Sequence, residues 1–295
     1  MPKSTEDASH AADTSDALRR SSKPINDGIF TRVVTLLAAK ILDQKYMRRI
    51  WKQPSGVLFG FRFCIKTSPI TTLAEAHVLQ FVANNTSIPV PKVYSAFAHR
   101  GQVYIVMERI GGNMLAKGWV CRSEESKAKI LNQLRGMIQQ LRDIRPPSDY
   151  AVANINGGPI FDDRLSGSSL KGPFRTIHDF HRELREHADP GKMNAAALPD
   201  DLLEFFAFHG QQTASRPTLT HGDLSSLNIL ARGDDVVGII DWETSGWFPS
   251  YWEYVTAWNV NPQNEFWRDE VDKFLAPMPY ELKMDSVRRR YFGDF

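Results

Sequence analysis

The stretch "LTHGDLSSLNIL" (219–230) sets His221, Gly222, Asp223 and Asn228 between apolar ends, and "VVGIIDWE" closes an apolar run on a second acid, Asp241. An acid, an amide and a further acid in that order suit phosphoryl transfer. The first carboxylate would accept the proton of an attacking hydroxyl, and the amide and second carboxylate are hard-oxygen ligands of the kind Mg²⁺ takes. Upstream, Lys66 ends the apolar run "GVLFGFRFCIK", and Glu75 lies in the helix-patterned segment that follows. An ion pair between them would hold the ammonium toward a phosphate. Taken singly, H-G-D is as readily a polar turn, and Lys66 a surface lysine at a strand end. The five residues together, in the order Lys, Glu, Asp, Asn, Asp, select phosphoryl transfer.

The elements that would position them follow from periodicity. Residues 29–44 have apolar residues at helical spacing. The runs 45–51 ("KYMRRIW") and 56–68 are aromatic and β-branched on either side of the turn signal "KQPS", which predicts a hairpin. An amphipathic helix over 72–85 places Glu75 in its first turn, and two strands joined by "HRG" fill 90–110. From Ser123 onward the pattern is helical: a long helix over 124–144 stopped by Pro146 and Pro147, a Gly/Pro/Asp-rich loop over 145–173, helices near 176–188 and 199–212, and a Trp-rich helical tail over 250–292. A strand pair around the H-G-D motif interrupts this half. The expected fold is α+β and bilobal: a disordered tail (1–24), a small β-rich N-lobe (25–110) and a larger, mostly helical C-lobe (111–295), with a cleft between lobes as the ligand site.

Bulk properties narrow the function classes. The 295 residues are 42% hydrophobic and 24% charged with a net charge of +2, the balance of an ordinary globular protein and not the basic footprint of a nucleic-acid binder. Two cysteines, Cys64 and Cys121, cannot form a disulfide framework and point to reduced thiols. No apolar run approaches the roughly 20 residues that cross a bilayer. The expectation is a cytoplasmic protein with no membrane or nucleic-acid partner; the oligomeric state is left open.

The chain resembles the aminoglycoside phosphotransferase family, a kinase-like family, and especially its fungal-type members of unassigned substrate. The specific stretch is "THGDLSSLNILARGDDVVGIIDWETSGWFPSYWEY" (220–254), supported by "AEAHVLQFVANNTSIPVPKVY" (74–94) and "GPFRTIHDF" (172–180). The resemblance implies a protein-kinase-like fold, ATP and Mg²⁺ as cofactors, Asp223 as catalytic base and Asn228 and Asp241 as Mg²⁺ ligands. It implies Lys66 on the α/β phosphates with Glu75 as its partner. It makes "VMERI" the inter-lobe hinge, with Met107 before the adenine partners Glu108 C=O and Ile110 N–H, and it lays Cys64 over the adenine ring. Two features separate the chain from protein kinases: H-G-D lacks the arginine of H-R-D, and "TSGWFPSYWEY" leaves no room for a long activation segment. One departure separates it from its own family. Gly56 and Gly60 do not form the glycine-containing phosphate loop expected between two strands ahead of the Lys strand.

The expected function is ATP- and Mg²⁺-dependent phosphorylation of a hydroxyl on a small molecule. The alternative is a pseudokinase, a nucleotide-binding or scaffold module without turnover. The acceptor site is expected from the 145–190 region and the C-terminal helices, where Asp149, Asp162, Asp163, Glu183 and Glu186 mix with Arg145, Arg164, Arg175 and Arg182. That mixture does not suit a polycationic acceptor. His178, His181 and His187 fall on one predicted helix, with the i, i+3 pair His178 and His181 read as surface or satisfied helix residues, His221 as a hydrogen-bonding brace of its loop, and Trp242, Trp247, Trp252 and Trp258 as core and cleft wall.

Overall fold

The computed structural model describes residues 23–293 apart from 52–54, 147–150, 166, 168, 169, 195, 196, 212–215 and 260–264. Most of the expected tail and of the "KQPS" turn lies outside the described residues. The chain divides into two compact units, residues 1–117 with 227–243, and 118–226 with 244–295.

In the first unit, helices α1 (Ile29–Leu42) and α2 (Lys45–Trp51) precede strands β1 (Val57–Phe59) and β2 (Phe63–Lys66), helix α3 (Leu73–Asn85), and strands β3 (Val93–His99) and β4 (Gln102–Glu108). The four strands form an antiparallel sheet in the order β1-β2-β4-β3. Strand β4 alternates buried and less buried residues along its length, the period of two that a half-covered sheet requires. Ile65 and Leu58 of the sheet pack with Ala39 and Leu42 of α1.

Two expectations fail here. "KYMRRIW" is helix and not strand: the adjacent Arg48 and Arg49 break a period of two, and Met47 packs on the Ala39–Leu42 cluster. The run 56–68 is two strands, folded back where Gly60 N–H donates 2.8 Å to Phe63 C=O. A second sheet, β5 (Asn113–Met114), β7 (Ile229–Arg232) and β8 (Asp235–Ile239), completes the unit in the order β5-β7-β8.

The second unit is mostly helical, with one two-stranded ribbon among the described residues. Helix α4 (Glu124–Asp143) starts where the Ser123 hydroxyl accepts the Ser126 N–H, and buries Ile130, Leu131, Leu134, Ile138 and Leu141 at helical spacing. Helices α5 (Ile177–Leu184) and α6 (Asp200–Gly210) follow, then β6 (Thr218–Thr220), which pairs antiparallel with β9 (Gly246–Phe248). Helices α7 (Trp252–Asn259), α8 (Glu265–Phe274) and α9 (Pro279–Phe292) close the unit. Leu202, Phe205 and Phe206 of α6 pack on Met284 and Val287 of α9.

His181 is a satisfied helix residue, as expected, but a deeply buried one. Its ring stacks on His209 with centroids 4.1 Å apart, and Nε2 meets the Tyr251 hydroxyl at 2.8 Å. His187 lies beyond the end of α5. Burial drives both buried imidazoles below the ordinary histidine range, His181 to about 4. The unfolded chain therefore binds more protons between about pH 6.5 and 4, and the stability these rings contribute is lost as pH falls through that window. Other buried acids cancel when a variant is compared with its parent. In thermal and urea unfolding, the difference between His209→Phe and wild type should shift in the variant's favour by roughly 1 kcal/mol for each unit of pH lowered between 6 and 5.

Candidate active site

In the first unit, three carboxylates gather around one amine. Lys66 ends β2 with its side chain buried, and Nζ lies 2.9 Å from Glu75 Oε1, 2.5 Å from Asp241 Oδ1 and 3.0 Å from Glu243 Oε2. Burial opposes charge on the amine, but the carboxylates of Glu75, Asp241 and Glu243 outweigh it and hold the ammonium above the ordinary lysine range. One cation cannot fully compensate three anions. Glu75, the most enclosed of them at 2% exposure, is pushed up to about 7 by burial, with Lys66 pulling the other way. The helix-start position of Glu75 therefore serves the strand below it: α3 turns this residue inward with Ala76, Leu79 and Val82.

Asp241 and Asn228 sit at one end of the β7–β8 hairpin. Ile229 pairs with Ile239, and one residue further out Ile240 N–H donates 2.9 Å to the Asn228 carbonyl. Asp241 has φ of +66°, a left-handed backbone that Asp tolerates better than most residues and that is held at a cost where it occurs in a site. Its carboxylate is 39% exposed, so it faces solvent as well as Lys66. Among the described residues no group of three or more His, Cys, Asp or Glu side chains could by itself hold a metal. That does not exclude Mg²⁺, which is commonly bound by one or two carboxylates with substrate phosphates and waters completing the octahedron. The Asp241 carboxylate and Asn228 amide are oxygen donors of that kind, and they fit it.

Of the expected nucleotide contacts, Cys64 and Met107 are partners across β2 and β4, and Glu108 ends β4. The Cys64 thiol makes a long contact of 3.8 Å to the Glu108 carbonyl, and burial pushes its pKa up to about 12, so it remains a thiol. Ile110 packs against Gly238, where an added Cβ would fall 2.7 Å from its Cδ1. The segment ahead of β1, where the resemblance calls for a glycine loop between strands, is α2 and the "KQPSG" run.

In the second unit, the H-G-D loop leaves β6 under restraint from several sides. The buried Glu253 carboxylate accepts the His221 N–H at 2.6 Å and the Gly222 N–H at 3.1 Å. Burial pushes Glu253 up to about 6, against the pull of those two donors. His221 braces the loop as expected, its Nδ1 accepting the Asp223 N–H at 3.2 Å. Thr244 and Ser245 hydroxyls donate to the His221 and Thr220 carbonyls at 3.0 and 2.8 Å. Gly222 has φ of +83°, and a Cβ there would stand 2.8 Å from the Thr244 carbonyl oxygen, so the middle position of H-G-D must be glycine.

The profile of the APH phosphotransferase enzyme family matches residues 34–283. The chain belongs to that family. No protein with a curated description matches the sequence. Among solved structures, the phosphotransferase is similar to aminoglycoside phosphotransferase APH(3'')-Id from Streptomyces rimosus, in complex with ADP and streptomycin: 15% identity, 90% of this chain and 98% of that chain covered, TM-score 0.51. It is also similar to ADP-bound APH(2'')-Ib, with 17% identity, coverage of 84% and 86%, and TM-score 0.49. A third is a thermostable mutant of APH(4)-Ia in a ternary complex with ADP and hygromycin B, with 15% identity, coverage of 85% and 81%, and TM-score 0.48. The fold is thus the kinase-like α+β fold of the Streptomyces rimosus enzyme, and the chain is a phosphotransferase by family. Among the described residues no helix is long and apolar enough to cross a membrane.

Sequence reasoning missed three acids and a base in this phosphotransferase. Glu243 stands at the end of "VVGIIDWE" and Glu253 in the Trp-rich helical tail, and the sequence pattern assigns neither a role. Asp162 and Arg164 were assigned to the acceptor region, whereas Arg164 Nη2 reaches the Gly222 carbonyl at 2.9 Å. The signal for Glu253 was an acid among aromatic residues in "YWEYV", a setting in which a charge needs a partner. Glu253→Ala leaves two buried N–H groups without their acceptor and should destabilise the protein by about 2–4 kcal/mol in urea unfolding, whereas Glu253→Gln, which keeps one acceptor oxygen, should cost less.

Proposed function

We propose that the protein transfers the γ-phosphoryl group of ATP, with Mg²⁺, to a hydroxyl of a small molecule, in the cytoplasm. The observation that carries this reading is the Lys66 ammonium held between Glu75 and Asp241 in the same unit that presents Asn228 beside Asp241. A cation so placed, with oxygen donors next to it, is suited to a polyphosphate. Both cysteines are free thiols, which agrees with a reducing compartment.

In this mechanism Lys66 binds the α/β phosphates, and Asn228 and Asp241 would hold Mg²⁺. The metal, when bound, neutralises charge on the phosphate oxygens. Glu75 keeps Lys66 charged and aimed. The adenine ring lies against Cys64 and Met107, with the Glu108 carbonyl and Ile110 N–H as its hydrogen-bonding partners. Asp223 orients the acceptor hydroxyl and takes its proton while the acceptor oxygen bonds to the γ-phosphorus. The bond from that phosphorus to the bridging oxygen breaks, and ADP leaves with the electron pair. The aminoglycosides bound by the structural neighbours do not transfer directly as substrates, since the 145–190 region here mixes acids with arginines.

A second reading, a nucleotide-binding or scaffold module without turnover, is favoured by one observation: helix α2 occupies the segment where the family carries its phosphate-covering glycine loop. The readings separate experimentally. Wild type should show a Mg²⁺-dependent thermal shift with ATP and turnover in a phosphotransfer screen of alcohols and sugars. Asp223→Asn should lose at least roughly a thousandfold in kcat with the ATP Kd within about threefold of wild type. Unchanged turnover in that variant removes Asp223 from the base role; nucleotide binding without turnover in wild type establishes the second reading.

A further inference from the structure

Arg164 lies in a loop rich in glycine and serine, yet its side chain is only 19% exposed. The guanidinium is fixed on two sides. Nη1 donates to Asp162 Oδ1 at 2.9 Å, and Nη2 donates to the Gly222 carbonyl at 2.9 Å. Asp162 is itself buried, at 3% exposure. Its Oδ1 also accepts the Arg164 N–H at 3.0 Å, and its Oδ2 accepts the Trp252 indole N–H at 3.2 Å. The guanidinium lies 5.9 Å from the centre of the Trp252 ring. Trp252 opens α7, and the next residue is Glu253, which holds the N–H groups of His221 and Gly222. The peptides leading into Asp223 are therefore gripped by an anion on their N–H side and by a cation at the Gly222 carbonyl. The charged groups around this pair are Asp162, Asp223 and Asp285 about Arg164, and Arg142 with Arg164 about Glu253. A buried cation is costly to a loop that needs only packing, so its two fixed bonds call for another reason.

We propose that Arg164 is a positioning residue for the phosphotransferase reaction: by clamping the Gly222 carbonyl it fixes the peptide that carries Asp223 and sets a positive charge beside that carboxylate, with Asp162 and Trp252 as its brace. The role rests on reading Asp223 as the base. A cation beside a carboxylate favours its ionised form, the form that can accept a hydroxyl proton. The planar fork of arginine makes the Asp162 and Gly222 bonds at once; a lysine supplies the charge without the two-sided geometry.

The test uses the full chain with Arg164→Gln, Arg164→Lys and Asp162→Asn, read by hydrogen–deuterium exchange over residues 218–228, by ¹³C NMR titration of the Asp223 carboxyl group, and by ATP turnover. Arg164→Gln should speed exchange at the Asp223 amide by roughly tenfold or more with β6 and α7 unchanged, and should raise the Asp223 pKa by at least about half a unit. Arg164→Lys should restore the titration but not the protection, and Asp162→Asn should show intermediate loss of protection. Turnover in Arg164→Gln should fall roughly tenfold or more in kcat with KM for ATP within about threefold. Unchanged exchange and titration at Asp223, or loss of protection spread equally over β6 and α7, overturns the positioning role. If wild type turns over no nucleotide, the base assignment of Asp223 falls, and the exchange and titration results still decide whether Arg164 positions the loop.

Discussion

The first unit is organised around a charge imbalance: one ammonium, Lys66, serves three carboxylates. Two of these, Glu75 and Asp241, come from elements far apart in the chain, so the ion pairs fix β2, α3 and the end of the β7–β8 hairpin against one another. Removing Lys66 from this buried group would leave three carboxylates uncompensated, which is why the lysine is fixed in identity even where the group is not strongly stabilising. The imbalance also gives the site a capacity. A surplus of negative charge with oxygen donors at the solvent-facing end is a standing attraction for a divalent cation, and the Asp241 carboxylate is the exposed member through which it would act.

The loop in the second unit depends on a different rule. Backbone N–H and C=O groups that leave a strand inside a protein must be paired somewhere. After β6 ends, no strand continues to take the groups of His221 and Gly222, and side chains do so instead: Glu253 from α7, Thr244 from the approach to β9, and Arg164 from the preceding loop. The chemical motif is short because its supports are distributed along the sequence from Arg164 to Glu253.

That distribution explains what could be read in the sequence. Lys66, Glu75 and Asp241 were legible as a set because Lys66 and Asp241 are charged residues closing apolar runs and Glu75 opens the helix-patterned segment next to Lys66, and the structure brings the three into contact. The helix α1, the helix α3, and the strands around "HRG" were legible from periodicity alone. "KYMRRIW" was not, since seven residues with aromatic and β-branched members satisfy strand composition while the i, i+4 pairs Tyr46–Ile50 and Met47–Trp51 satisfy a helix; packing of Met47 on α1 decided the matter. Arg164 and Glu253 were not legible as supports because the loop groups they hold are backbone atoms, which leave no trace in residue type, and Asp162 because it acts only through Arg164 and Trp252.

Gly222 carries one more consequence, for descent rather than chemistry. Its left-handed backbone and the Thr244 carbonyl lying 2.8 Å from any added Cβ shut this position to side chains. The arginine that protein kinases place there, and use to sense a phosphorylated activation segment, is thus out of reach by a single substitution. A lineage starting from this loop could acquire that form of control only by rebuilding the Thr244 turn first.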